Sequence, residues 1–170
     1  MKRILFIIAP SNFRDEELNE PKTILEDAEF VCDIASTITD PVKGMLGMLV
    51  KPDMLVDNVV VDNYSAVVIV GGSGSPALSK NETVVAIVRE ASAKNKVIGA
   101  ICFGALTAAR SGTLKGKNGT GWKHQDTLQA FKENGATYVD EGVVVDGKIV
   151  TAQGPSVAKE FGKKILEVLK

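Results

Sequence analysis

Short apolar segments alternate along the chain with segments whose apolar residues recur every three or four positions. Four apolar segments have the length of strands buried on both faces, at 4–8, 30–35, 66–70 and 97–101. Helical spacing indicates helices over 16–28, 81–94, 103–110, 125–134 and 156–169. Because helices alternate with buried strands, we predict a doubly wound, flavodoxin-like α/β sandwich whose sheet is mostly parallel.

Two regions depart from this alternation. Glycines and prolines interrupt the apolar pieces of segment 39–61, which predicts a β-hairpin-like excursion followed by a loop. Near the end of the chain, strand pieces at 143–145 and 149–152 flank Asp146-Gly147, a dipeptide typical of tight hairpin turns. An extra β-hairpin is therefore expected, and a further strand piece is indicated at 137–139.

Length and composition favour one domain over residues 1–170, since 170 residues with 45% hydrophobic content build a single sizeable core. Twenty Lys and Arg residues against 21 Asp and Glu leave no charge excess that would favour nucleic acid or a membrane surface. Small molecules and further copies of the chain are the expected partners. Two cysteines are too few for a disulfide framework and suit the reducing cytoplasm.

Cys102 lies at the predicted junction between a buried strand and a helix. In open α/β sheets, ligands bind at the carboxyl ends of strands, and a helix that begins there directs its N–H groups at its first residue. We therefore expect an unusually acidic thiol, since the thiolate is the nucleophilic form. The alternative is a small buried hydrophobe, which is the interpretation we give Cys32 in its apolar strand.

Gly71 and Gly72 directly follow the strand at 66–70, so their loop is expected beside Cys102. Backbone N–H groups of Gly72 and Phe103 would then form an oxyanion hole, although a Gly-Gly pair alone more often marks a tight turn. The loop lacks the lysine and the glycine spacing of phosphate and dinucleotide motifs. No cofactor and no metal are predicted.

Five motifs, taken together, resemble the DJ-1/PfpI superfamily in order and spacing: FRDEEL at 13–18, VIVGG at 68–72, AICFG at 100–104, VVVDGK at 143–148 and QGP at 153–155. The resemblance covers essentially the whole chain. It implies that Cys102 is the reactive residue, that Glu17 contacts its sulfur, and that the chain forms homodimers or larger rings. The superfamily includes glyoxalases, reported deglycases, peptidases, and oxidation-sensing or chaperone-like proteins.

Glu17 has a consistent role beside a thiol only in its protonated form, which donates a hydrogen bond, whereas two negative charges would repel. We expect it to act as general acid and base. The alternative is a solvated carboxylate at a helix start, which is the role we assign to Asp15 and Glu16. The remaining residues expected around the pocket are Gly71, Ser73, Trp122, His124, Gly154 and Pro155.

Three hypotheses for function remain. The first is a cofactor-independent enzyme in which Cys102 attacks a small reactive carbonyl, as a glyoxalase or deglycase would. The second is a stress protein that senses oxidation at Cys102. The third is a peptidase or amidase, but peptidase-like relatives carry histidine where this chain has Phe103, so His124 would have to reach the sulfur. A Cys-His-Glu amidotransferase is excluded because 150–170 contains no histidine.

Overall fold

A computed structural model describes residues 2–170 of the chain. Its strands are β1 (Arg3–Ile7), β2 (Val31–Ser36), β3 (Val42–Lys43), β4 (Leu49–Val50), β5 (Met54–Leu55), β6 (Ala66–Ile69), β7 (Val97–Ile101), β8 (Asn118–Gly119), β9 (Thr137–Tyr138), β10 (Val143–Asp146) and β11 (Ile149–Ala152). Its α-helices are α1 (Asp15–Asp27), α2 (Glu82–Ala93), α3 (Gly104–Arg110), α4 (Gln125–Glu133) and α5 (Ala158–Leu169). None of the helices in this range is long and apolar enough to cross a bilayer.

Seven strands form the main sheet, in the order β10-β11-β7-β6-β1-β2-β5. Every neighbouring pair is parallel except the hairpin of β10 and β11, where Gly147 takes a left-handed φ of 60° at the predicted turn. From β1 the chain first builds the sheet outward through β2 and β5, and then crosses to the other side of β1 to add β6 and β7, so the order reverses between β1 and β6. The loops after β1, β6 and β7, three adjacent strands, therefore meet at one edge, where ligands bind in such folds.

Helices cover both faces of the sheet, as the sequence predicted. Alternate residues of each buried strand face opposite sides, because side chains along a strand have a period of two. Ile4 and Phe6 of β1 contribute to the core under α1 and α5, whereas Leu5 and Ile7 contribute to the core under α2, α3 and α4. Both cores are fully buried around β1, so the strand ends that carry the functional loops are held rigidly.

Most element predictions are confirmed to within a few residues. The start of α2 follows the expected cap, because the Asn81 side chain accepts a hydrogen bond from the N–H of Val84. Segment 39–61 is more structured than expected: after the hairpin of β3 and β4, the strand β5 joins the main sheet beside β2. β9 lies outside the main sheet and pairs with β8.

The β3–β4 hairpin is fastened to α1 by Asp15, for which the sequence predicted a solvated carboxylate at the start of the helix. That expectation is wrong, because Asp15 is buried and its Oδ2 accepts hydrogen bonds from the N–H groups of Leu46 and Met48, both at 3.1 Å. Gly44 leaves the space that the carboxylate occupies, since a Cβ there would overlap Oδ1. The first turn of α1 thus holds the hairpin over the functional edge of the sheet.

Replacing Asp15 with alanine should release this hairpin. Two hydrogen bonds to a charged acceptor are lost, so we expect a decrease of about 2–4 kcal/mol in the free energy of unfolding, measured by urea denaturation. Hydrogen exchange should accelerate at Leu46 and Met48. Glu20→Ala, on the same helix, is the control, and an equal loss of stability in that variant would contradict the role of Asp15.

Candidate active site

Cys102 occupies a sharp elbow between β7 and α3. Its φ is +59°, in the left-handed region that residues other than glycine rarely adopt. The backbone is held there because the Cys102 N–H donates to the carbonyl of Ala152 at 2.9 Å, and its carbonyl accepts from the N–H of Trp122 at 3.1 Å. Such a conformation costs on the order of 1–3 kcal/mol and persists where the surroundings enforce it, often at functional sites.

The Gly71-Gly72 loop closes against the elbow from the neighbouring strand. Gly72 has a φ of +108°, and the backbone N–H groups of Gly72 and Phe103 lie close enough to the Cys102 sulfur to lower the pKa of its thiol. Gly71 has no room for a side chain, because an added Cβ would overlap the Glu17 carboxyl and the Cys102 side chain. The two glycines are therefore needed for close approach, in addition to forming the turn.

Glu17 reaches the elbow from the first turn of α1 and is completely buried. Its Oε2 accepts a hydrogen bond from the N–H of Gly71 at 2.9 Å, whereas Oε1 is buried without a hydrogen-bond partner among residues 2–170. The carboxyl interacts with the Cys102 side chain, and this interaction lowers the pKa of Glu17. Burial raises the pKa of Glu17 to about 8. The carboxyl is consequently mostly protonated at neutral pH, in agreement with the protonation state expected from the sequence.

The expectation of an unusually acidic thiol is wrong for the free protein. Burial, followed by the negative charge on ionised Glu17, raises the pKa of Cys102 to about 12. The N–H groups of Gly72 and Phe103 lower this pKa, but the short helix α3 and these donors do not outweigh desolvation. Well below pH 8 the carboxyl is mostly neutral, and burial is then the main cause that disfavours the thiolate.

A cavity of about 170 Å³ opens above the sulfur. Its lining residues come from six separate parts of the chain: Arg14, Glu17, Met45, Gly72, Ser73, Cys102, Phe103, Trp122 and Pro155. Arg14 and Met45 were not among the pocket residues expected from the sequence. Arg14 precedes Glu17 by three positions at a helix start, a spacing that places both near one side of the helix, whereas nothing in the sequence positions the hairpin that carries Met45.

The other expected pocket residues fall into two groups. Ser73, Trp122 and Pro155 line the cavity, and the Ser73 N–H donates to the Met45 sulfur at 3.4 Å. Gly71 lies behind the Glu17 carboxyl, and Gly154 supports the Trp122 ring, since a Cβ on Gly154 would meet that ring at 3.1 Å. Both glycines therefore shape the site without lining its cavity.

His124 lies beside the site but does not serve the sulfur. Its Nδ1 accepts a hydrogen bond from the N–H of Asp126 at 3.2 Å and so caps α4. Its ring packs edge-on against Phe103, with the centroids 5.4 Å apart. Within the described part of the chain, no hydrogen bond joins His124 to Cys102, so the pair that a cysteine peptidase needs is not formed.

Cys32 is the second free cysteine of the chain. Its side chain packs against the core under α1 and α5, as expected.

The fold and this arrangement define a class of α/β proteins that carry a cysteine on a strand–helix elbow beside a buried glutamate. A family model described as the DJ-1/PfpI family matches residues 2–168, and the chain belongs to that family. It is 31% identical to deglycase PfpI of Pyrococcus furiosus over 170 residues, covering 99% of both proteins.

A second relative and a solved structure agree with this assignment. The glutathione-independent glyoxalase DJR-1.2 of Caenorhabditis elegans is 26% identical over 168 residues, covering 99% of this chain and 89% of that protein. The crystal structure of a ThiJ/PfpI domain protein from Brachyspira murdochii superposes with a TM-score of 0.93 at 30% identity, covering 98% of this chain and 95% of that one. The flavodoxin-like fold predicted from the sequence is thereby confirmed.

The buried carboxyl should make stability depend on pH. Because the pKa of Glu17 in the folded state lies above its ordinary value of 4.5, the native state holds a proton that the unfolded state releases. The contribution of Glu17 to stability is complete below about pH 4.5 and is lost as pH rises toward 8, by an amount on the order of 5 kcal/mol. Urea unfolding from pH 5 to pH 9 should show this decline, and Glu17→Gln should lack it. An equal decline in that variant would contradict the assignment.

Proposed function

We propose that the protein is a cofactor-independent enzyme that converts small 2-oxoaldehydes into 2-hydroxy acids through a covalent adduct on Cys102. The observation that carries this proposal is the placement of a thiol, a protonated carboxyl and two converging N–H groups around one small cavity. The glyoxalase and deglycase named among the relatives support the same class of carbonyl chemistry.

The first step forms a hemithioacetal. The Cys102 sulfur bonds to the aldehyde carbon, the carbonyl π bond opens onto its oxygen, and the thiol proton passes through the Glu17 carboxyl to that oxygen. Glu17 ends the step protonated, as it began. The N–H groups of Gly72 and Phe103 stabilise the negative charge that develops on the oxygen, because they are fixed before the substrate arrives.

The second stage rearranges the adduct within the substrate. The carbonyl oxygen of protonated Glu17 accepts the proton from C1 while its hydroxyl donates to the C2 oxygen, which gives an enediol. The C1 hydroxyl then returns its proton to the carboxyl, which protonates C2, so that C1 is oxidised to a thioester while the C2 carbonyl is reduced to an alcohol. Water then hydrolyses the thioester, which releases the 2-hydroxy acid and restores the Cys102 thiol. One oxoaldehyde and one water thus give one hydroxy acid, and no external oxidant or reductant is consumed.

The raised pKa of Cys102 favours this enzyme over an oxidation sensor. Peroxide reacts with a thiolate that exists before the encounter, and burial disfavours that form. Addition to a carbonyl removes the thiol proton during the step itself, with Glu17 placed to accept it. The peptidase alternative is disfavoured because His124 caps α4 and packs on Phe103.

Substitution of the two central residues tests the proposal. Methylglyoxal should be converted to lactate by the unaltered protein, and both Cys102→Ser and Glu17→Gln should lower kcat/KM by at least about 100-fold, the usual contribution of a nucleophile or a general acid and base. Chiral chromatography of the lactate provides the measurement.

Two matched substitutions serve as controls. Cys32→Ser alters the other thiol, and Glu20→Gln alters a carboxylate of the same helix outside the cavity, so both variants should retain turnover. Absence of turnover in the unaltered protein, together with rapid peroxide oxidation of Cys102 detected by mass spectrometry, would overturn the enzyme proposal in favour of the sensor.

The pH profile should report the protonation state of Glu17. Since the relay needs a protonated carboxyl whose pKa is about 8, kcat/KM for methylglyoxal should fall above that pH. Stopped-assay rates between pH 5.5 and 10, normalised for folded protein, give the profile. A rate that keeps rising through pH 10 would show that the ionised pair is the active form.

A further inference from the structure

Arg14 brings a positive charge to the wall of the cavity. It is the only Lys or Arg among the lining residues. The other ionisable lining groups are Glu17, which is mostly protonated at neutral pH, and the Cys102 thiol. The guanidinium is therefore the one lining group that carries a full charge at neutral pH, and a negatively charged occupant would complement it.

The guanidinium is held in place from both ends. The Arg14 N–H donates to the carbonyl of Gly71 at 3.0 Å, which fixes the backbone beside the Gly71-Gly72 loop. At the far end of the side chain, Nε and Nη2 donate to the Glu16 carboxylate at 2.8 and 3.1 Å. A preorganised guanidinium loses little conformational freedom when it binds a ligand.

The ion pair with Glu16 leaves one nitrogen of the Arg14 guanidinium free to bind a ligand. Arg14 lines the cavity and Glu16 does not, so the cationic member of the pair is the one that borders it. Over residues 2–170, the Nη1 group of Arg14 has no hydrogen-bond partner in the protein, and its side chain is 28% exposed. Guanidinium groups favour carboxylates, because their N–H donors match the two oxygens in geometry and charge.

We propose that Arg14 makes the cavity selective for carbonyl substrates that carry a carboxylate. The aldehyde end lies over Cys102 and the carboxylate binds the unengaged edge of the guanidinium. This inference rests on the proposed function for the reaction itself, but it concerns a separate part of the cavity. Arg14 is thus a specificity-determining residue, and the substrate class is a small oxoaldehyde acid.

A matched pair of substrates tests the proposal. 4,5-Dioxopentanoate carries a 2-oxoaldehyde and a carboxylate, and its methyl ester removes only the charge. We expect the unaltered protein to prefer the acid by about tenfold or more in kcat/KM, the range for a hydrogen bond to a charged group. In Arg14→Met the ratio of acid to ester should approach one.

The ratio separates charge recognition from catalysis. Arg14 lowers the pKa of Glu17, so its loss affects both substrates through the carboxyl, and dividing one kcat/KM by the other removes that effect. Lys22→Met deletes a positive charge from the same helix outside the cavity and should keep the ratio of the unaltered protein. A ratio near one in the unaltered protein, or a preference that survives Arg14→Met, would overturn the proposal.

A binding measurement distinguishes this proposal from the catalytic one. Trp122 is the single tryptophan of the chain and lines the cavity, so its fluorescence reports occupancy. 4-Oxopentanoate and its methyl ester lack the aldehyde and are not turned over. Should no 2-oxoaldehyde be converted, the proposed function fails, and tighter binding of the acid that is lost in Arg14→Met still supports the role of Arg14. Equal binding of acid and ester would reject it.

Discussion

The site depends on a carboxyl that is buried beside a thiol in an apolar setting. An isolated carboxylate in such a position is costly, so the group keeps its proton at neutral pH. The Oε2 atom of Glu17 accepts a hydrogen bond from the N–H of Gly71, which ties the position of the carboxyl to the loop after β6. The chemistry and the packing are therefore coupled, because the arrangement that protonates Glu17 also closes the Gly71-Gly72 loop over Cys102.

The elements around Glu17 and Cys102 hold the backbone of Cys102 in an unfavourable conformation that brings the two side chains together. The backbone of Cys102 adopts a left-handed conformation although the residue has a side chain. It is held there because the Cys102 N–H donates to the carbonyl of Ala152 and the Cys102 carbonyl accepts from the N–H of Trp122. Both partners belong to parts of the chain that follow later in the sequence. The elbow therefore forms only when the sheet is complete, and its strain is offset by the two buried cores that fix the strand ends.

The sequence predicted the sheet and the order of strands and helices, because continuous apolar strands and helical spacing are local signals. Cys102 was expected from its position at a strand–helix junction, and Glu17 from the resemblance to the DJ-1/PfpI superfamily. The predictions from the sequence were wrong or incomplete where a property of a side chain depends on residues that only the folded chain brings near it. The pKa of Cys102 rises because of burial that the apolar strand itself creates, and Asp15 is buried because a hairpin far along the chain folds over it. Arg14 and Met45 entered the cavity lining through tertiary placement of the same kind.

The hairpin of β3 and β4 contributes one wall of the cavity through Met45, yet it belongs to neither face of the main sheet. Its exposed apolar side chains Leu46 and Leu49 contribute little to either core. Substitution of the Met45, Leu46 or Leu49 side chains would alter the wall of the cavity while leaving the backbone hydrogen bonds to Asp15, the elbow and the sheet in place. Substrate range can thus diverge within this fold at these exposed positions without loss of the contacts that fasten the hairpin.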